Sequence, residues 1–133
     1  MIDIVIVGDM NEVTKEALLS LKSSHYDNPV YVVPFDGYNK SLNDGARKGK
    51  SEFIAFCNND LIFKKDWDRH IVEELQKLAK TDIVSASPWC SSTHHQWWGS
   101  EKPATNQIGT RTGHIVAGWC LVLRRSWWDE LGG

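Results

Sequence analysis

Asn58-Asn59-Asp60 sets two amides and one carboxylate directly after the apolar run Phe53-Ile54-Ala55-Phe56-Cys57, and the chain turns apolar again at Leu61-Ile62-Phe63. Such a triplet can serve two ends. Asn and Asp tolerate left-handed backbone and bond their own main chain, so a turn accounts for them. Oxygen donors are also what a hard divalent cation takes. Mg2+ or Mn2+ often uses only one or two carboxylates, with substrate phosphates completing the shell. One carboxylate beside amides able to bond a ribose or phosphate fits that sparse site. Taken alone, the triplet leaves both readings open.

Other residues with chemical potential give weaker signals. Gly45 and Gly49-Lys50-Ser51 outline a phosphate-binding loop, but three residues separate the glycines where four are needed. A strand follows them, whereas a phosphate loop leads into a helix whose N-terminus faces the phosphates. A helix C-cap at Gly49 is the better account. No G-x-G-x-x-G follows the first apolar run, which leaves a dinucleotide site without support. Cys90, His94, His95 and His114 raise a zinc alternative, yet zinc sites favour short repeated pairs such as C-x2-C, and these residues form none. His25 and His70 read as surface histidines.

The elements that must position these groups follow from periodicity. Ile2-Asp3-Ile4-Val5-Ile6-Val7 is a β-branched run ending at Gly8, as in a buried parallel strand. Asp9 and Glu12 suggest a capping box ahead of Val13, Ala17, Leu18 and Leu21 at helical spacing. Val30-Tyr31-Val32-Val33 is a second strand closed by Pro34 and Asp36-Gly37. A short helix is expected over residues 40–48, a third strand over 53–57, and a helix capped by Asp66 with Trp67, Ile71, Leu75 and Leu78 inward and Glu73 paired with Lys77. Residues 83–86 and 115–123 read as strands, with a last helical turn capped by Ser126. Alternating strands and helices predict one α/β domain with a largely parallel sheet. In such sheets ligands bind beyond the strands' carboxyl ends, here Gly8-Asp9, Phe35-Asp36 and Asn58-Asn59-Asp60.

Composition narrows the class. A formal charge of -2 without clustered Lys and Arg argues against a nucleic-acid partner. No apolar run approaches the roughly 18 residues of a membrane span, and Met1-Ile2-Asp3 lacks a charged signal-peptide start. Cys57, Cys90 and Cys120 read as reduced, mostly buried thiols, so a cytoplasmic location is expected. Six of the seven tryptophans lie beyond residue 88, a compositional shift that divides the single domain into residues 1–87 and a Trp-rich part, 88–133. Residues 88–113 have no periodicity and form a long loop of the kind that is functional or mobile. Trp89, Trp97 and Trp98 could stack a sugar or pin that loop to the sheet. Trp119 reads as core, and Trp127-Trp128 as either packing or an exposed patch open to self-association.

Residues 38–60, YNKSLNDGARKGKSEFIAFCNND, resemble the family 2 (GT-A fold) nucleotide-sugar glycosyltransferases. Asn43 and Gly45 match an Asn and a Gly of a short helix in that family. Asn58-x-Asp60 matches its D-x-D or N-x-D motif at the end of a hydrophobic strand. Residues 116–133, VAGWCLVLRRSWWDELGG, are similar to its acceptor-side segment. The resemblance implies a GT-A-like, mostly parallel sheet flanked by helices. It also implies sugar transfer, inverting in stereochemistry, from a nucleoside-diphosphate sugar to a saccharide or other hydroxyl acceptor. Val7, Gly8, Asp36, Asn43, Asn58 and Asn59 would bind the nucleotide sugar, and Asp60 would hold Mn2+ or Mg2+. Trp89, Trp97, Trp98, Gly118 and Trp119 would form the acceptor side.

The match has departures. Asn58 replaces a carboxylate, leaving Asp60 as the single acidic ligand. The loop after the second strand is short, which bears on Asp36. Family members continue past the position of Gly133 into an acidic segment that supplies the general base, so the chain reads as short or truncated. Asp129 and Glu130 are the nearest candidates for that base, and both fall in a helical turn. A non-catalytic module binding a nucleotide sugar or a glycan is therefore the alternative.

Overall fold

The computed structural model describes residues 1–85, 91–92, 97–98 and 120–133. In chain order the elements are β1 (Ile2–Val7), α1 (Glu12–Ser20) with a 3-10 turn (Leu21–Ser23), β2 (Val30–Val33), α2 (Tyr38–Ala46), β3 (Phe53–Asn58), α3 (Trp67–Lys77), β4 (Val84–Ser85), β5 (Ser91–Ser92), β6 (Trp97–Trp98), β7 (Cys120–Arg124) and α4 (Arg125–Glu130). Five strands form one sheet in the order β2-β1-β3-β7-β4, and β5 pairs with β6 in a separate two-stranded ribbon. β1 is parallel to β2 and β3, while β7 is antiparallel to β3 and to β4. Four strands of the sheet therefore share one direction and β7 alone opposes them.

The unbroken apolar character of β1 and β3 follows from burial on both faces. Ile2, Ile4, Ile6, Phe53, Ala55 and Cys57 meet Ile71, Val72 and Leu75 of α3 on one side. Val5, Ile54 and Phe56 meet Leu42 and Ala46 of α2 on the other, with Trp127 and Trp128 of α4 packed against them. Each buried Val, Leu, Ile or Phe side chain among them contributes about 1.5–3 kcal/mol. The tryptophan pair is thus packing against the core, not an open patch. Trp128 lies on Phe56 with ring centroids 4.7 Å apart.

Several local expectations change. Asn11, not Asp9, caps α1, its side chain accepting from Thr14 N. Asp66 precedes α3 in left-handed backbone with no side-chain cap, and α4 likewise begins without one. Lys77 pairs with Glu74, while Glu73 faces Arg69 and His70. Gly49 is no left-handed cap: a Cβ there would sit 2.0 Å from Asp3 Oδ2. The reason is Asp3 itself, a carboxylate 1% exposed inside β1. It accepts from Ser51 N (2.8 Å), Ser51 Oγ (2.8 Å) and Arg125 Nη2 (2.6 Å). Arg125 also donates to the carbonyls of Ser51 and Ala46. A buried carboxylate needs such partners, and this set clamps α2, β3 and α4 onto the amino end of β1.

Candidate active site at the carboxyl ends of the central strands

The candidate site is built where three parallel strands stop together. Val7 stands opposite Val33 on one side and Asn58 on the other. The chain therefore leaves β1, β2 and β3 at one level, through Gly8, Pro34 and Asn59. Gly8 N donates to Val33 O at 2.9 Å. Its φ is +153°, and a Cβ would meet Asn59 Cγ and Nδ2 at 2.6 Å, so only glycine fits between the two loops.

Asn59 occupies that space for a structural reason. Its Nδ2 donates to Thr14 Oγ1 at 2.9 Å, and that hydroxyl donates to Asp9 O at 2.6 Å. Thr14 is fully buried. The middle residue of the triplet thus ties the turn after β3 to the loop between β1 and α1. It leaves Asn58 and Asp60, on either side, exposed to solvent. Sequence reasoning grouped Asn59 with the nucleotide-binding residues. The signal for its tie was Thr14, a polar residue on the buried stripe of α1.

Asp36 is exposed, and its carboxylate meets Lys40 Nζ at 2.6 Å, which also meets Asp44 at 3.0 Å. The hydrogen bonds to Asp36 and then Asp44 hold the Lys40 ammonium above the ordinary lysine range. Asp36 N donates to buried Ser41 Oγ, which donates to Pro34 O, so the β2–α2 corner is fixed. Asn43 lies on α2 beside Gly133, and its Oδ1 is shielded and without a partner among the described residues.

The two base candidates stand elsewhere. The Glu130 carboxylate is paired with Lys80. Asp129 lines a shallow groove with Arg47, Gly49, Arg125 and Trp128. A second depression is lined by Pro34, Asp36, Lys40 and Asp44. Neither concavity includes Gly8, Asn58 or Asp60; the candidate site rests on the aligned strand ends, not on a cavity. Trp97 and Trp98 form β6; Trp89, Gly118 and Trp119 lie outside the described residues, as do Cys90, His94, His95 and His114.

The donor set bears on metal chemistry. Among the described residues no three His, Cys, Asp or Glu side chains come together as a metal cage. Asp60 and Asn58 offer one carboxylate and one amide oxygen, hard donors that leave most of a coordination shell for phosphate and water. That set fits Mg2+ or Mn2+ bound with a diphosphate and suits zinc poorly.

A family model described as glycosyl transferase family 2 matches residues 2–132. The chain belongs to that family. The match spans the first resembling segment and all but the last residue of the second, and the α/β fold with its mostly parallel sheet agrees with the GT-A-like expectation. Membership supports glycosyl transfer as the general chemistry, with a nucleotide-sugar donor and an acceptor. Comparison with curated proteins gives no match. Among the described residues no helix is long and apolar enough to cross a membrane.

Proposed function

We propose that this glycosyl transferase family 2 chain moves a sugar, with inversion, from a nucleoside-diphosphate sugar to a saccharide or similar hydroxyl acceptor in the cytoplasm. The observation that carries the reading is the common level of Gly8, Pro34 and Asn59, with Asn58 and Asp60 exposed beside them. Val7 and Gly8 would bring bare backbone against the nucleotide. Asp36 would reach the base in exchange for Lys40, and Asn43 would offer its unpartnered oxygen. Asn58 would bond the ribose or a phosphate. Asp60 would hold Mg2+ or Mn2+, whose charge supports the departing nucleoside diphosphate. Trp89, Trp97, Trp98, Gly118 and Trp119 are assigned to the acceptor side by the family resemblance.

The test is thermal stabilisation by UDP, GDP or dTDP with and without Mn2+. A shift that requires the cation and disappears in Asp60→Ala, with the ligand-free melting temperature unchanged, is the expected result. No shift with any of the three sinks the proposal.

A second reading has its own observation. Transfer to a hydroxyl needs a group to take its proton, and Glu130 is already paired with Lys80. A binding module would keep the cation-dependent shift yet give neither transfer nor donor hydrolysis.

A further inference from the structure

Cys57 and Cys120 stand directly opposite each other where β3 and β7 pair antiparallel. Both thiols are free and buried, and their sulfurs lie 3.4 Å apart. Directly opposed residues in antiparallel strands have Cα atoms about 4.5–5.5 Å apart. That lies inside the roughly 4.4–6.8 Å window of a disulfide, so the bond requires small side-chain movement and no change of register. The position matters as much as the distance. Cys57 immediately precedes Asn58, and Cys120 is the first residue of β7.

We propose that Cys57 and Cys120 form an oxidation site, closed to a disulfide by a hydroperoxide, that staples β7 to β3 directly beneath the candidate site. The balance is simple. One thiol loses its proton and its sulfur displaces water from hydrogen peroxide, giving a sulfenic acid. The second sulfur attacks the first, forms the S–S bond and releases another water. Two thiols and one peroxide become one disulfide and two waters, with two electrons passing from sulfur to oxygen.

The surroundings set the pace. The hydrogen bond that the Cys57 thiol donates to Cys120, reinforced by burial, pushes it well above the ordinary range. Thiolate is the reactive form, so closure is slow in the native state and proceeds through opening of the β3–β7 edge. The same burial shields the finished bond from reductant. The device is a lock for oxidising conditions, not a rapid switch.

The test oxidises the whole folded protein with hydrogen peroxide, alkylates the remaining thiols in denaturant, and maps the peptides. A Cys57–Cys120 cross-link in both wild type and Cys90→Ser is expected. Because the bond closes a loop of sequence separation 63, the melting temperature should rise by roughly 10 °C. Mild urea should accelerate closure. Full alkylation of Cys57 and Cys120, a cross-link through Cys90 instead, or a Cys57–Cys120 bond that lowers the melting temperature would each overturn the proposal. These readouts need neither nucleotide nor cation, so they stand or fall separately from the proposed transfer activity.

Discussion

Asp3 and Asp60 mark the two ends of the central strands and live in opposite surroundings. Asp3, near the start of β1, is shut away from water with Ser51 and Arg125 donating to its oxygens. Asp60, just past β3, is exposed. A carboxylate buried with both oxygens engaged by the protein holds the fold and is closed to a ligand. One left open at aligned strand ends contributes little to folding and can accept a cation. The amino end of the sheet is thus built for stability, and the carboxyl end is the one proposed for binding.

The comparison is broken most forcefully at Arg125. Arg125→Ala strands Asp3 as an unpaired buried charge, and breaking such a pair costs about 3–5 kcal/mol. The urea midpoint should fall accordingly. The double variant Asp3→Asn with Arg125→Met, which removes both charges, should recover part of the loss. Nucleoside-diphosphate affinity of the folded fraction should be unchanged, because the clamp lies at the other end of the strands. Unchanged stability with lost binding would mean that the two ends have been assigned the wrong way round.

Asp68 extends the comparison to the α3 side of the sheet. It is fully buried and accepts from His25 N, Tyr26 N and Asn28 Nδ2 at 2.7–2.8 Å. Desolvation pushes its carboxyl up, but the hydrogen bonds from His25, Tyr26, Asn28 and Arg69 together outweigh that and hold it below the usual carboxylate range. The folded value lies under the unfolded one, near about 3.9. Its contribution is therefore complete above that pH and is lost as pH falls through the folded value. Urea midpoints measured across the acid range should show this slope, and Asp68→Asn should flatten it. Near neutrality, Asp68→Ala should cost at least about 3 kcal/mol, since it strips a charged acceptor from three donors and each such bond is worth about 1.5–3 kcal/mol.

What the sequence disclosed follows from the range of each interaction. β1, β3 and the turn at Asn58-Asn59-Asp60 were legible because burial writes continuous apolar runs and the turn interrupts one. The antiparallel direction of β7 was not, since strand direction depends on the path of the intervening chain. The Asp3–Arg125 pair spans 122 positions and leaves no local periodicity. A lone acid inside a β-branched run, with two arginines where the last strand ends, was the available clue, because a buried charge demands a partner. The α1 cap fell on Asn11 instead of Asp9 for a shorter-range reason: both residue types cap well, and only the exit from Gly8 decides between them.

Asn59 sharpens the comparison most finely, since it sits in the candidate triplet yet its amide is used inside the fold. Asn59→Ala removes one hydrogen bond to Thr14, costing about 1 kcal/mol. Thr14→Val removes the same bond from the other side, together with those to Asp9 O and Asn11 Oδ1. If Asn59 acts by holding the turn, the pair couples in a double-mutant cycle by about 0.5 kcal/mol or more. Both single variants should then weaken cation-dependent nucleotide binding, because each frees Asn58 and Asp60 from their anchor, while Thr14→Ser should restore it. Should Asn59→Ala abolish binding while Thr14→Val leaves it untouched, Asn59 contacts the nucleotide itself, and the boundary between holding and binding runs between Gly8 and Asn59.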